Sequence, residues 1–105
     1  MNKSINNASQ PRYVISVAAD MLGIQPYTLR YYERVGIIRP ARSPGNLRLY
    51  SEDDLALIRR VMTLMYDLGV NLAGVEVILR MSQQIIELQR AAQSMQSELD
   101  QYRQE

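Results

Sequence analysis

Cysteine, histidine, tryptophan and phenylalanine are all absent from this chain of 105 residues. Without cysteine there are no disulfides and no thiol catalysis. With histidine missing as well, the usual zinc and copper sites lose their ligands and acid–base chemistry loses its commonest base. No apolar run approaches the roughly 18 residues of a membrane span. The stretch Met1–Gln10 is polar and holds a single lysine, so it does not read as a secretion signal; residues 1–10 are expected to be a disordered tail. There is also no nucleophile–base pair and no phosphate-binding loop. These exclusions leave a soluble cytoplasmic chain that is not an enzyme and needs no metal and no cofactor. Its core must come from Leu, Ile, Val, Met and Tyr. Apolar residues make up 47%, enough for one domain, or for a small domain with an extension.

Charge becomes informative once it is divided along the chain. Residues 1–60 hold nine Lys+Arg against five Asp+Glu, and residues 61–105 hold three against six, so a +4 front half precedes a −3 rear half. A DNA-reading head on a non-contacting support has this distribution.

The strongest local pattern lies between Ile15 and Tyr32. Ala18, Leu22, Ile24, Leu29 and Tyr32 occupy the places where two short helices crossing steeply must be apolar. Ala19 stands where a larger side chain would push them apart, and Gly23 where the chain turns with a positive φ. This is a helix-turn-helix. Its second helix opens at Gln25-Pro26, since proline suits the first helical position, and is expected to run to about Val35, stopped by Gly36. At about 100° per residue, Leu29, Tyr32 and Gly36 fall on one side. Tyr27, Arg30, Tyr31 and Arg34 fall on the other, with Thr28 at its edge. Two guanidinium groups and two phenols form a face suited to phosphate, sugar and guanine edges.

Upstream, Tyr13-Val14-Ile15 reads as a short extended run, with Ser16 as the cap of the first helix. Downstream, Pro44-Gly45 predicts a type II turn between short arms carrying Arg42 and Arg48. A basic hairpin directly after a recognition helix is a wing, and its arginines would lie along phosphates. Ser51-Glu52-Asp53-Asp54 starts the next helix as a capping-box variant, rather than as a metal cluster, and that helix is expected to reach about Leu68. Asn71 then caps a shorter helix from Leu72 to about Arg80. In the last quarter of the chain, Ile78, Met81, Ile85, Leu88, Ala92, Met95, Leu99 and Tyr102 recur at alternating steps of three and four. Such a narrow stripe fits the seam of a coiled coil. A lone helix of this length is marginal in water, so a second copy is expected to supply its stability. The fold class is therefore mostly α: a winged helix-turn-helix head over residues 11–80 and a dimerising coiled-coil helix over residues 81–105.

The order strand, helix-turn-helix, wing, helix pair, coiled-coil helix resembles the MerR family of transcriptional regulators. The segment Thr28-Leu29-Arg30-Tyr31-Tyr32-Glu33-Arg34-Val35-Gly36-Ile37-Ile38 looks like the family signature. Asn46-Leu47-Arg48-Leu49-Tyr50-Ser51 looks like its junction of wing and helix. Within the family, Tyr13–Ala19 and Gly69–Val75 are most similar to the heat-shock repressor (HspR) branch. The resemblance implies a homodimer joined by an antiparallel coiled coil, bound to double-stranded DNA at a pseudo-palindromic operator. Carried over by position, Thr28, Arg30, Tyr31 and Arg48 would contact DNA. Tyr27, Arg34 and Arg42 are added from the helical face and the wing. Ile85, Leu88, Ala92, Met95, Leu99 and Tyr102 would form the dimer seam. Metal- and redox-sensing members use cysteines, which this chain lacks, and drug-sensing members append an effector domain. The heat-shock branch implies repression of stress or chaperone genes, with a DnaK-type chaperone as co-repressor. Two alternatives stay open: an activator that untwists promoter DNA, and a coiled-coil adaptor whose head binds protein.

Overall fold

A computed structural model describes residues 7–104. The described chain forms two compact units that meet in sequence between Gly69 and Val70.

In the first unit, a 3-10 turn at Asn7–Ser9 precedes β1 (Tyr13–Val14), α1 (Ile15–Leu22), α2 (Pro26–Arg34), β2 (Ala41–Arg42), β3 (Arg48–Tyr50) and α3 (Glu52–Met62). Of the expected tail, residues 1–6 lie outside the described residues. The 3-10 turn is closed by Gln10 N donating to Asn7 O at 3.2 Å, and it lies against α3. The sheet is antiparallel in the order β1-β3-β2. Tyr13 stands opposite Tyr50, Val14 opposite Leu49, and Arg42 opposite Arg48. Helix-turn-helix and wing thus share one small core.

Ala18, Ala19 and Leu22 of α1, Leu29 and Tyr32 of α2, Tyr50 of β3 and Leu55, Ile58 and Val61 of α3 are all buried. Burying a Leu, Ile or Val side chain contributes about 1.5–3 kcal/mol, so this shared cluster is what holds α1 and α2 at their crossing. Gly23 closes α1 at φ +72°, and no atom lies within 4 Å of where a Cβ would stand. Backbone conformation alone requires glycine there. The helix-turn-helix is as expected at Ala18, Ala19, Leu22, Leu29 and Tyr32, which are buried, and at the Gly23 turn, while Ile24 is only half-buried.

Three local details differ from expectation. Ser16 does not cap α1; the N-cap is Val14, with no side-chain hydrogen bond. Because Val14 still pairs with Leu49, the helix begins directly at the strand's end and Ser16 falls inside its first turn. The wing turn is not type II. Ser43 O accepts from Asn46 N at 2.8 Å, but the left-handed residue is Asn46 at φ +67°, not Gly45. This is a tight turn followed by one left-handed residue, which Asn tolerates. Ser43 Oγ accepts from Leu47 N at 3.1 Å and steadies it. Finally, α3 ends at Met62, and Thr63–Asp67 widens into a π-helical turn, with Leu68 N donating to Thr63 O at 3.1 Å. The start of α3 follows the sequence: Asp54 N donates to Ser51 Oγ, and Ser51 N to Asp54 Oδ2, a reciprocal capping box.

The second unit is one helix, α4 (Leu72–Gln104), of 33 residues. The short helix expected to end near Arg80 and the seam expected from residue 81 are continuous, since no Gly or Pro interrupts the chain after Gly74. Asn71 caps it, with Oδ1 accepting from Gly74 N at 2.8 Å. A Cβ on Gly74 would stand 2.8 Å from Val70 Cγ1 and 3.3 Å from Asn71 Oδ1, so a larger residue would push on the cap itself. Among the described residues, no helix is long and apolar enough to cross a membrane.

Candidate nucleic-acid interface

The two faces of α2 separate as its periodicity dictates. Leu29 and Tyr32 are buried, while Tyr27 is 70% and Tyr31 41% exposed. Arg30 and Arg34 are exposed and Thr28 is half-buried. The Arg34 guanidinium lies 5.5 Å from the Tyr31 ring centroid, close enough for cation–π attraction to steady both side chains. Tyr32 anchors the opposite side. Its hydroxyl donates to Met65 Sδ at 3.9 Å, and burial, helped by Tyr66, holds its phenol far above the ordinary value. The helix is thus fixed from behind and presents cations and phenols in front.

Arg42 and Arg48 do not stand free beside this face. Arg48 Nε donates to Glu33 Oε1 at 2.6 Å and Arg42 Nη2 to Glu33 Oε2 at 2.8 Å. One carboxylate on α2 therefore ties both wing arginines to the recognition helix. The Arg48 hydrogen bond, against some desolvation, and the charges of both arginines hold the Glu33 carboxyl below its ordinary value. Sequence reasoning assigned Glu33 no role. A signal was present: Arg42 and Arg48 are equidistant from Gly45, so a hairpin centred there sets like charges opposite each other, an arrangement that calls for an anion. Of the expected contact residues, Tyr27, Thr28, Arg30, Tyr31 and Arg34 share α2, and Glu33 brings Arg42 and Arg48 to it.

Residues 13–82 match the profile described as MerR HTH family regulatory protein. The chain belongs to the MerR family. It is 46% identical over 90 residues to a Streptomyces coelicolor protein named as heat shock protein HspR, an alignment covering 86% of this chain and 60% of that protein. It is 32% identical over 75 residues to the HTH-type transcriptional regulator GlnR of Bacillus anthracis, covering 71% of this chain and 57% of the other. This MerR-family chain therefore spans about 60% of these relatives' own lengths. Among solved structures it is similar to HiNmlR, described as a MerR family regulator lacking the sensor domain and bound to promoter DNA. That likeness has a TM-score of 0.60 at 22% identity, over 86% of this chain and 76% of that one, and it shows the shared fold. A MerR family transcriptional regulator from Bacillus cereus aligns with a TM-score of 0.57 at 25% identity, covering 83% of this chain and 73% of that one.

On α4 the expected seam is laid bare. Leu88, Met95 and Tyr102 are 69%, 68% and 76% exposed, and Ile85 and Leu99 are about half exposed. Ala92, the smallest residue of the stripe, leaves a shallow, open hollow bounded by Met95, Gln96, Leu99 and Tyr102.

Proposed function

We propose that this chain is a sequence-specific DNA-binding transcriptional regulator that acts as a homodimer on a pseudo-palindromic operator. The observation that carries the proposal is the exposed Tyr27, Arg30, Tyr31 and Arg34 face of α2, adjoining a wing with two arginines, on a MerR-family fold. Arg and Tyr donors on one helix face suit phosphate positioning with some base reading. Arg42 and Arg48 flank that face and extend it along the backbone of the duplex. The dimer proposal rests on Ile85, Leu88, Ala92, Met95, Leu99 and Tyr102, an apolar stripe at heptad spacing that nothing on its own helix covers. The hollow at Ala92 is the kind of hole that receives a knob from a facing helix. The DNA-reading part is assigned to residues 11–80 and the pairing part to residues 81–105.

Similarity to a protein named heat shock protein HspR supports repression of stress or chaperone genes in the cytoplasm, with a DnaK-type chaperone as the co-repressor to test. Selection of bound duplexes from a random pool tests the core of the proposal. A recovered site with two inverted half-sites is expected. A pool that stays random after selection would refute sequence-specific binding. Mapping the site against the promoter then distinguishes a repressor overlapping a normally spaced promoter from an activator acting on a long spacer.

A further inference from the structure

We infer that Glu33 is a positioning residue for DNA reading, which orients the wing guanidinium groups against α2 and gives up phosphate attraction in favour of selectivity. The inference rests on the DNA-binding function proposed above.

Glu33 follows Tyr32, which is only 1% exposed, so its backbone is held firmly by the core. Both of its oxygens are used, one by each arginine, and its side chain is 23% exposed. Arg42 and Arg48 stand directly opposite each other across β2 and β3. Like charges so placed repel and would splay the hairpin, and the carboxylate between them removes that tendency. A guanidinium carries five N–H donors in a rigid fork. The Glu33 bonds use Nε of Arg48 and Nη2 of Arg42, leaving both terminal nitrogens of Arg48 and Nη1 of Arg42 able to donate to phosphate. Each fork is thus aimed while remaining functional.

For phosphate affinity alone, a carboxylate here is unfavourable. About 10 Å from a phosphate in water at low salt, its repulsion is worth roughly a factor of two in binding, and less as salt screens it. For geometry it is favourable, because charge-assisted bonds fix both side chains and, through them, the wing.

These two effects have opposite signs, which makes the inference testable in the full chain. Glu33→Gln keeps the size and removes the charge. Its affinity for an operator duplex recovered by selection is expected to fall roughly tenfold. At low salt its affinity for a random duplex is expected to rise about twofold, with a salt dependence steeper by up to about one unit. Glu33→Asp, which keeps the charge on a shorter stem, should lie between. Parallel loss on both duplexes, or unchanged selectivity, would overturn the inference. Loss of cooperative melting in Glu33→Gln would also overturn it, by making Glu33 a folding residue. If the wild-type chain does not distinguish operator from random duplex, the DNA-reading proposal itself fails and this inference with it.

Discussion

Replacing Ile85 and Leu88 together with Asp separates the two units experimentally. Leu88 is 69% and Ile85 53% exposed on the isolated chain, so more than half of the burial available to each remains to be gained from a partner. At about 1.5–3 kcal/mol for complete burial of such a side chain, each contributes about 1–2 kcal/mol to pairing. In a two-fold symmetric dimer each substitution acts twice. The four lost side chains together remove about 5 kcal/mol, between three and four powers of ten in the dimer Kd. Carboxylates facing each other across adjacent layers add to the loss. The core around Leu29, Tyr32 and Leu55 is untouched, so the first unit should keep its structure and weak, non-specific affinity for duplex DNA. Operator affinity should collapse, because two linked half-site contacts gain from effective concentration and single ones do not. Sedimentation at micromolar concentration reads the mass, and a gel-shift titration the affinity. Asp at Gln83 and Ser97, on the opposite side of the heptad, serves as the control and should leave the dimer intact. A seam variant that still sediments as a dimer with full operator affinity would refute the pairing surface.

Arg30→Ala is expected to weaken operator binding by roughly 1–3 kcal/mol. A relaxed preference at one position per half-site would mark a base contact, an even loss with a salt slope lower by about one unit would mark phosphate, and unchanged affinity would remove Arg30 from the interface. Gly23→Ala meets no neighbour within 4 Å, so its whole effect is the left-handed backbone, about 1–2 kcal/mol. A fall in Tm of several degrees is the expected readout, and an unchanged Tm would contradict the turn geometry. Acid should release Arg42 and Arg48 from Glu33. The folded-state value of Glu33 is lowered, so its contribution to stability is fully present above the ordinary value of 4.5 and is lost as pH falls through the folded value. The stability gap between wild type and Glu33→Gln should therefore be seen at neutral pH and close in acid, as measured by denaturant unfolding. A gap that persists in acid would show that charge is not its source.

The parts of this molecule legible in its sequence are those where a single residue type satisfies a local requirement. Gly23 must turn left-handed, Ala19 must be small, Leu29 and Tyr32 must face inward, and Ser51 with Asp54 must satisfy each other's backbone. At Ser16 the local capping signal was not used, since the helix starts at Ile15, directly after Val14 pairs with Leu49 of β3. At the wing, Pro-Gly suggested one turn, but the neighbouring Asn46 can also adopt positive φ and took that position. The π-helical turn after Met62 follows a run whose periodicity continues unbroken, so periodicity could not report it. Glu33 was legible only indirectly, for a different reason. Its partners lie on another element, and only the pairing of Arg42 with Arg48 creates the need that it meets.

The bare stripe of α4 links structure to copy number. A helix of 33 residues with its apolar seam in water has much order to gain from pairing. Under the proposed pairing, the last turns of each chain are stable only in company. When the dimer is scarce, its amount grows with the square of the chain concentration, so operator occupancy responds to synthesis more steeply than in proportion. On that proposal, unpaired chains are the ones whose helix ends open most readily to proteases. A modest fall in synthesis would then deepen itself, and operator occupancy would drop abruptly rather than by degrees.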